Sequence, residues 1–382
     1  MELVRAIHAA PQQAVLELAG GTQALAWLHA VGGSSRTVLE ATDRYSAASL
    51  AALLGRPPAK AVTGDVAVTM AAAARRRARE LAAPGTPVVG AACTAALASD
   101  RPRRGAHHAV VAVADALGTA VCELELAKGR RTRRQEEAAA SLLLLAELAA
   151  ACGVAVSEPA AAAAPGDVIR REFRPAQRLA ALGSGAANWL LLDPAGCVVK
   201  QDPGWDRVVL LSGSYHPLHG GHLALAEAAA ALLRRRVVFE LTLVNADKAA
   251  IGLPEAQRRA AQFAGRAPLL LSCEPLFSVK AALFPGAVFV VGVDTAVRLV
   301  DPRFYGDSAA AMRRALTEVA RRGCSFLVAG RLVEERFRTL ADVALPLPPA
   351  LRALFRELPE ESFRYDISST EIRAQGAPRA AG

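Results

Sequence analysis

Apolar and polar positions along this chain fall into two regimes, and each predicts its own elements. In the first half, residues 14–18 and 88–91 are short apolar runs, which predict buried strands, while residues 47–54 and 66–82 repeat apolar side chains at helical spacing. Thr132 followed by Gln135 has the pattern of a capping box and opens a helix predicted to run to about Cys152. The second half alternates more regularly. Strands at 207–211, 237–244, 269–272, 287–292 and 326–329 interleave with helices at 220–233, 254–264 and 308–321. That alternation predicts a parallel sheet with right-handed crossovers, whose ligands sit beyond the carboxyl ends of the strands. Between the halves, Ala160 to Ala164 lie between Pro159 and Pro165-Gly166, a low-complexity run with breakers at both ends. The chain is therefore read as α/β with two domains, 1–156 and 206–382, joined by a linker and connecting segment at 157–205.

Composition adds limits. With 382 residues, 53% hydrophobic and 21% charged, the chain can bury two cores. The longest apolar stretch, 138–152, is broken by Glu147 and falls short of the roughly 20 residues a bilayer span needs. Met1 to Ala10 carries Glu2, Arg5 and His8 where a signal peptide would be apolar. These features predict a cytoplasmic protein with no membrane partner. Six cysteines without a Cys-x-x-Cys pair argue against a zinc ribbon or a disulfide framework. The net charge of +9 comes from scattered arginines, since only five of the 45 basic residues are Lys. With no basic stripe interleaved with aromatics, nucleic acid is not the expected partner. Small anionic ligands suit such a charge, and a homo-oligomer stays open.

The strand at 207–211 runs straight into Ser212-Gly-Ser-Tyr-His-Pro-Leu-His-Gly-Gly-His222, and the next helix begins inside that run. His219 and His222 stand about one turn apart at a helix start, where unpaired N–H groups and the helix dipole favour phosphate. Gly213, Gly220 and Gly221 let the backbone turn and approach a ligand closely. A rival reading takes His216, His219 and His222 as zinc ligands, but no Cys or carboxylate nearby completes a four-ligand shell, so no metal site is assigned. Near the other end stands Ile367-Ser-Ser-Thr-Glu-Ile-Arg373. Ser368 and Ser369 are natural N-caps, and with Arg373 one turn inward they form a second candidate anion site.

Taken together, Gly213-Ser-Tyr-x-Pro217, His219-x-Gly-His222 and Ile-Ser-Ser-Thr-x-Ile-Arg373 resemble the nucleotidyltransferase superfamily, specifically nicotinamide mononucleotide adenylyltransferases, over about residues 206–376. The resemblance implies a Rossmann-like parallel sheet of the HxGH type. It implies adenylyl transfer from ATP to a phosphorylated acceptor, pyrophosphate as leaving group, and Mg²⁺ as cofactor. On the matching positions, His219, His222 and Arg373 would be catalytic, and Gly213, Ser214, Tyr215, Gly221, Ser368, Ser369 and Thr370 would bind the nucleotide. Val290-Val-Gly-Val-Asp294 is similar to the strand-end Gly-x-Asp of those enzymes, so Gly292 and Asp294 join the nucleotide set; a helix cap is the other reading of Asp294. Residues 240–248, with Arg258-Arg259 following, resemble plant and algal cytidylyltransferase-like proteins, where Lys248 either neutralises phosphate or stands on solvated surface. One departure concerns the acceptor. The family's Phe-Asn before the proline is Tyr215-His216 here, which sets an imidazole where an amide is usual. Transfer from ATP or CTP to phosphopantetheine or to a choline- or glycerol-type phosphate is therefore the alternative chemistry. A ligand-sensing or scaffold protein with a decayed site is the alternative of another class.

The first half resembles the C-terminal domain of the competence-damage-inducible (CinA) family, which includes nicotinamide mononucleotide deamidases. The resemblance rests on Leu18-Ala-Gly-Gly21, Gly32-Gly-Ser-Ser-Arg36, Tyr45-Ser46, Val62 to Met70 and Gly90 to Pro102. The family's Glu-Ser-Cys-Thr-Gly-Gly run supplies a nucleophilic Ser. Here the run reads Glu17-Leu-Ala-Gly-Gly21, and no Lys occurs between residues 46 and 54. The expectation is a domain that binds a ligand without hydrolysing it.

Overall fold

The computed structural model describes residues 1–100, 104–155, 163–244, 250–333 and 336–364, and it is a mixed α/β structure. The chain divides into two units. Unit 1 comprises Met1–Ser184, Leu192–Val198 and Gly252–Ala267, and unit 2 comprises Gly185–Leu191, Val199–Ile251 and Pro268–Gly382.

Unit 1 runs α1 (Glu2–Ala9), β1 (Gln13–Ala19), α2 (Gln23–His29), α3 (Ser34–Thr37), β2 (Val38–Asp43), α4 (Ala47–Leu54), α5 (Gly64–Leu81), β3 (Val88–Ala96), β4 (His107–Ala114), β5 (Gly118–Leu126), α6 (Arg133–Ala151), β6 (Val168–Pro175) and α7 (Gln177–Gly183). Its sheet has the order β2-β1-β3-β4-β5-β6. The first three strands are parallel and the rest pair antiparallel. Strand β1 is buried on both faces, as a central parallel strand should be. Its Ala14, Leu16 and Leu18 enter one core with Leu124, Leu143 and Leu148, while Val15 packs with Ala74 and Ala78 of α5 on the other face. Each fully buried leucine contributes about 2 kcal/mol. The capping box at Thr132 and Gln135 is present, with both reciprocal bonds made. The apolar pattern had indicated two strands in this half. Strand β2, the hairpin β4–β5 and the edge strand β6 complete six, and β6 lies in the segment that the sequence marked only as connecting.

Unit 2 contains β7 (Trp189–Leu192), β8 (Val198–Val199), β9 (Val208–Ser212), α8 (Gly220–Leu233) and β10 (Arg236–Thr242). After α9 (Leu253–Ala261), which clusters with unit 1, come β11 (Leu269–Ser272), α10 (Phe277–Leu283), β12 (Val288–Gly292), α11 (Val293–Leu299) and α12 (Ala309–Arg321). The last elements are β13 (Ser325–Ala329), the hairpin β14 (Arg331–Val333) and β15 (Arg336–Arg338), α13 (Pro349–Arg352) and β16 (Phe355–Leu358). The sheet order is β16-β13-β12-β9-β10-β11-β7-β8, and the pairs from β11 through β9 to β16 are parallel. Counting from β9, that order is 3-2-1-4-5-6, the doubly wound arrangement whose switch point lies between the first and fourth strands, here β9 and β12. Val208 and Leu210 join Phe289, Phe326 and Phe284 in the core on one face. In sheets of this order ligands bind outside the carboxyl ends of the strands that flank the switch point, here β9 and β12.

Candidate functional site

The turn after β9 is built by mutual support between glycine and tyrosine. A side chain at Gly213 would place its Cβ 2.6 Å from ring atoms of Tyr215, so only glycine fits there. Tyr215 itself is 0% exposed and takes a left-handed φ of 44°, which costs about 1 kcal/mol for a residue with a Cβ. Packing holds it in place. Its ring meets Phe239 at 5.6 Å and His222 at 5.0 Å between centroids, and its hydroxyl donates to the Leu211 carbonyl. Burial raises its pKa well above the ordinary phenol value. The sequence had placed Tyr215 among the nucleotide-binding residues. Its side chain is instead spent inside the protein, shaping the turn from beneath.

From that platform the chain enters α8 through a reciprocal cap. His219 is the N-cap, and its Nδ1 accepts the N–H of Gly221 at 3.2 Å. His222, three residues on, accepts the His219 N–H on its own Nδ1 at 3.3 Å. The two rings lie 3.8 Å apart. Because each Nδ1 accepts, the neutral imidazoles carry their proton on Nε2. Burial lowers the pKa of His219, and burial together with the neighbouring His219 holds His222 at about 4. At neutral pH both imidazoles at the helix start are therefore uncharged, with the proton on Nε2, and the first turn of α8 carries no acidic residue. Ser214 and His216 are exposed on the same turn, and Gly221 is buried at its base.

The other side of the switch point is β12. The register pairs Val290 with Leu211, so Gly292 ends β12 at the same end of the sheet at which Gly213 follows β9. Gly292 is the N-cap of α11, and a Cβ there would meet nothing within 4 Å. Asp294 is exposed in the first turn of α11, where its carboxylate pairs with Arg331 at 2.6 Å. The fold thus gathers Gly213, Ser214, Tyr215, His216, His219, Gly221, His222, Gly292 and Asp294 around one switch point. Lys248, Ser368, Ser369, Thr370 and Arg373 lie outside the described residues.

Sequence reasoning passed over the polar cluster beneath this turn. Glu240 of β10 and Lys280 of α10 form an ion pair of 2.7 Å and are 0% and 3% exposed. The same carboxylate accepts Ser212 Oγ at 2.5 Å and Ser272 Oγ at 2.6 Å, and Lys280 also donates to Thr242 Oγ1 at 2.9 Å. One signal was present: Glu240 is the single acid within an otherwise apolar strand. Its lysine partner, 40 residues away on a short helix, left none.

Unit 1 has its own strand-to-helix glycine turn, after β1. Gly20 and Gly21 have φ of 139° and 70°, and Cβ atoms there would lie 2.5 Å from Ala95 Cβ and 2.9 Å from Cys93 Sγ. The N–H of Thr22 donates to Glu137 at 2.5 Å and its hydroxyl donates to the same oxygen at 3.0 Å. Glu17, buried, is paired with Arg44 at 2.7 Å. Tyr45 is exposed, and Ser46 caps α4.

Among the described residues no group of three or more His, Cys, Asp or Glu could hold a metal ion, and no helix is long and apolar enough to cross a membrane. All six cysteines are free thiols, four of them buried.

The fold and site thus define a chain with a doubly wound α/β sheet whose switch point carries a histidine-capped helix start. Among solved structures it is similar to the competence/damage inducible protein CihA from Agrobacterium tumefaciens, at 20% identity and a TM-score of 0.32, covering 38% of this chain and 92% of that one. It is also similar to a competence-damaged (CinA) superfamily protein from Escherichia coli, at 18% identity and a TM-score of 0.31, covering 38% of this chain and 82% of that one. No protein-family model matches the chain, and no curated protein matches it.

Proposed function

We propose that residues 206–382 carry a nucleotidyltransferase that moves the adenylyl group of ATP to the phosphate of nicotinamide or nicotinate mononucleotide. The observation that carries this reading is the pair of neutral Nε2–H donors at the start of α8, set at the switch point of a 3-2-1-4-5-6 sheet. In the reaction, a phosphate oxygen of the acceptor attacks the α-phosphorus in line. The new P–O bond forms as the bond to the bridging oxygen breaks, and pyrophosphate leaves with that electron pair. The attacking phosphate is already ionised, so no general base and no covalent enzyme intermediate are needed. Catalysis then consists of positioning and of donors aimed at developing charge. His219 and His222 supply donors to the phosphates, Gly213 and Gly221 allow close approach, and Asp294 faces the ribose once freed from Arg331. By resemblance, Ser368, Ser369, Thr370 and Arg373 hold the leaving pyrophosphate. Mg²⁺, implied by the resemblance, would supply neutralising charge to the phosphates when bound together with the triphosphate.

His216 supports a second reading, in which ATP or CTP serves another phosphorylated acceptor, because its imidazole stands exposed where the related enzymes carry an amide. We place the protein in the cytoplasm, with small-molecule partners and neither nucleic acid nor membrane. Unit 1 is assigned no deamidase activity. Full-length protein with Mg²⁺, each nucleoside triphosphate in turn and a panel of phosphorylated acceptors tests all of this through pyrophosphate release. Release dependent on ATP and nicotinamide mononucleotide is the expected result. No release with any pair would leave the sensor or scaffold reading.

A further inference from the structure

The cluster of Glu240, Lys280, Ser212, Ser272 and Thr242 joins the carboxyl ends of three adjacent strands. Register puts Glu240 beside Ser212 on β9, and Thr242 beside Ser272 on β11. Side chains on neighbouring strands in register share a face, and residues two apart on one strand do so as well. All four therefore face α10, which brings Lys280 onto them from its second turn. Both oxygens of the carboxylate are engaged: one accepts Lys280 and Ser212, the other Ser272 and Thr242.

Such a cluster is a poor way to gain stability. An ion pair this deep loses its hydration, and apolar residues of similar volume generally hold a fold as well or better. What the cluster does offer is a fixed geometry at one place. Ser212 is the last residue of β9, and the next N–H, that of Gly213, donates to the Glu240 carbonyl at 3.0 Å. Glu240 thus grips both sides of the point where the strand becomes the turn, its side chain on Ser212 and its main chain on Gly213. From there Gly213 sits against the Tyr215 ring, and Tyr215 against His222.

Resting on the nucleotidyltransferase reading for its catalytic consequence, we infer that Glu240 and Lys280 are positioning residues which fix the β9 strand end and thereby aim the His219–His222 pair at the phosphates. Neither touches substrate. One variant separates positioning from stability: Glu240→Met with Lys280→Met in the full-length chain, which replaces the pair by apolar side chains of similar size.

The double variant is expected to melt within a few degrees of wild type. Its His222 imidazole, followed by NMR titration and assigned through the resonance lost in His222→Gln, should titrate at least one pH unit above the wild-type value of about 4. Its dissociation constant for Mg-ATP should rise at least ~10-fold, the scale of a lost charge-assisted contact. A folded double variant whose His222 titrates as in wild type would overturn the proposal, since a purely structural ion pair leaves the turn unchanged. If the double variant does not fold, Ser212→Ala takes its place. That change removes the side-chain link to β9 while Lys280, Ser272 and Thr242 stay on the carboxylate, and an unmoved His222 titration there would equally overturn it. A His222 shift in a protein whose wild type binds no Mg-ATP would sink the nucleotide reading and leave the positioning role standing.

Discussion

Two turns in this molecule share a plan, strand to glycine to helix, yet they end in opposite chemistry. After β1, Gly20 and Gly21 lead to Thr22, and the N–H that opens α2 is already taken by the Glu137 carboxylate. After β9, the start of α8 is capped by two neutral imidazoles, whose Nδ1 atoms accept backbone N–H groups and whose protons sit on Nε2. An internal carboxylate satisfies the helix start and repels a second anion. A neutral cap satisfies the backbone without using up the site's preference for negative charge. Glycines at a helix start are therefore insufficient evidence for phosphate binding. What decides is the charge of the group that caps them.

Catalysis by unit 1 would erase the difference between the two turns most completely. No ammonia release from nicotinamide mononucleotide is expected, because Leu18 and Ala19 occupy the stretch where the deamidases that the sequence resembles carry their nucleophile, and loss of a nucleophile costs orders of magnitude. Thr22 is the nearest hydroxyl, and it donates to Glu137. An ammonia assay on the full-length protein that showed turnover, abolished by Thr22→Ala, would reverse this assignment. The next largest effect is expected at the other turn. His222→Ala should lower kcat for pyrophosphate release at least ~100-fold, the usual scale for a lost donor to transition-state charge, with little change in melting temperature. A variant keeping half of wild-type turnover would move the phosphates away from α8.

How much of this was visible beforehand differs between the two turns for physical reasons. Strand and helix periods in the second half placed α8 and β11 at their observed bounds, and with them the strand-end position of the histidines. Long-range partners were another matter. Glu137 sits on α6 among the exposed Arg134 and Gln135, and from the sequence it reads as one more charge on a helix surface. Lys280 reads the same way on α10, although it is buried. Strands β4 to β6 escaped because antiparallel neighbours are joined by turns rather than by the helical crossovers that made the second half regular. The membership of α9 in unit 1 also ran against expectation, since a helix between two parallel strands ordinarily covers its own sheet.

A smaller effect should appear in pH. His222 in the empty site titrates at about 4, and a bound triphosphate raises that value by favouring the charged ring. Binding then takes up a proton, so Mg-ATP should bind more tightly as pH falls from 7 toward 5, by up to about tenfold per unit for one proton. His222→Gln should flatten the part of the slope that does not come from the nucleotide itself, and an unchanged slope would place the anion elsewhere. Stability moves the other way. The unfolded imidazole protonates near 6.5 while the folded one resists until about 4, so the folded state loses up to about 3 kcal/mol as pH falls between those values. Above 6.5 this residue contributes no pH dependence.

The smallest expected effect is a difference in salt response between the two helix starts. If the two helix starts differ in the charge of their caps, they should differ in their response to salt. Glu137→Gln keeps an oxygen for the Thr22 N–H and hydroxyl but removes the charge, which should cost about 1 kcal/mol at low ionic strength, the usual difference between charged and neutral acceptors at a helix start. Glu137 is only partly buried, so mobile ions reach its neighbourhood and the cost should shrink as salt rises from 0.05 to about 1 M, where the screening length falls to roughly 3 Å. Histidine at position 219 is neutral at pH 7.5, and the stability lost in His219→Ala should be independent of salt. Melting curves of wild type and both variants at two salt concentrations give the answer. Equal salt dependence for the two variants would mean that charge is not what separates the turns, and the distinction between a self-occupied helix start and one open to phosphate would have to rest on shape alone.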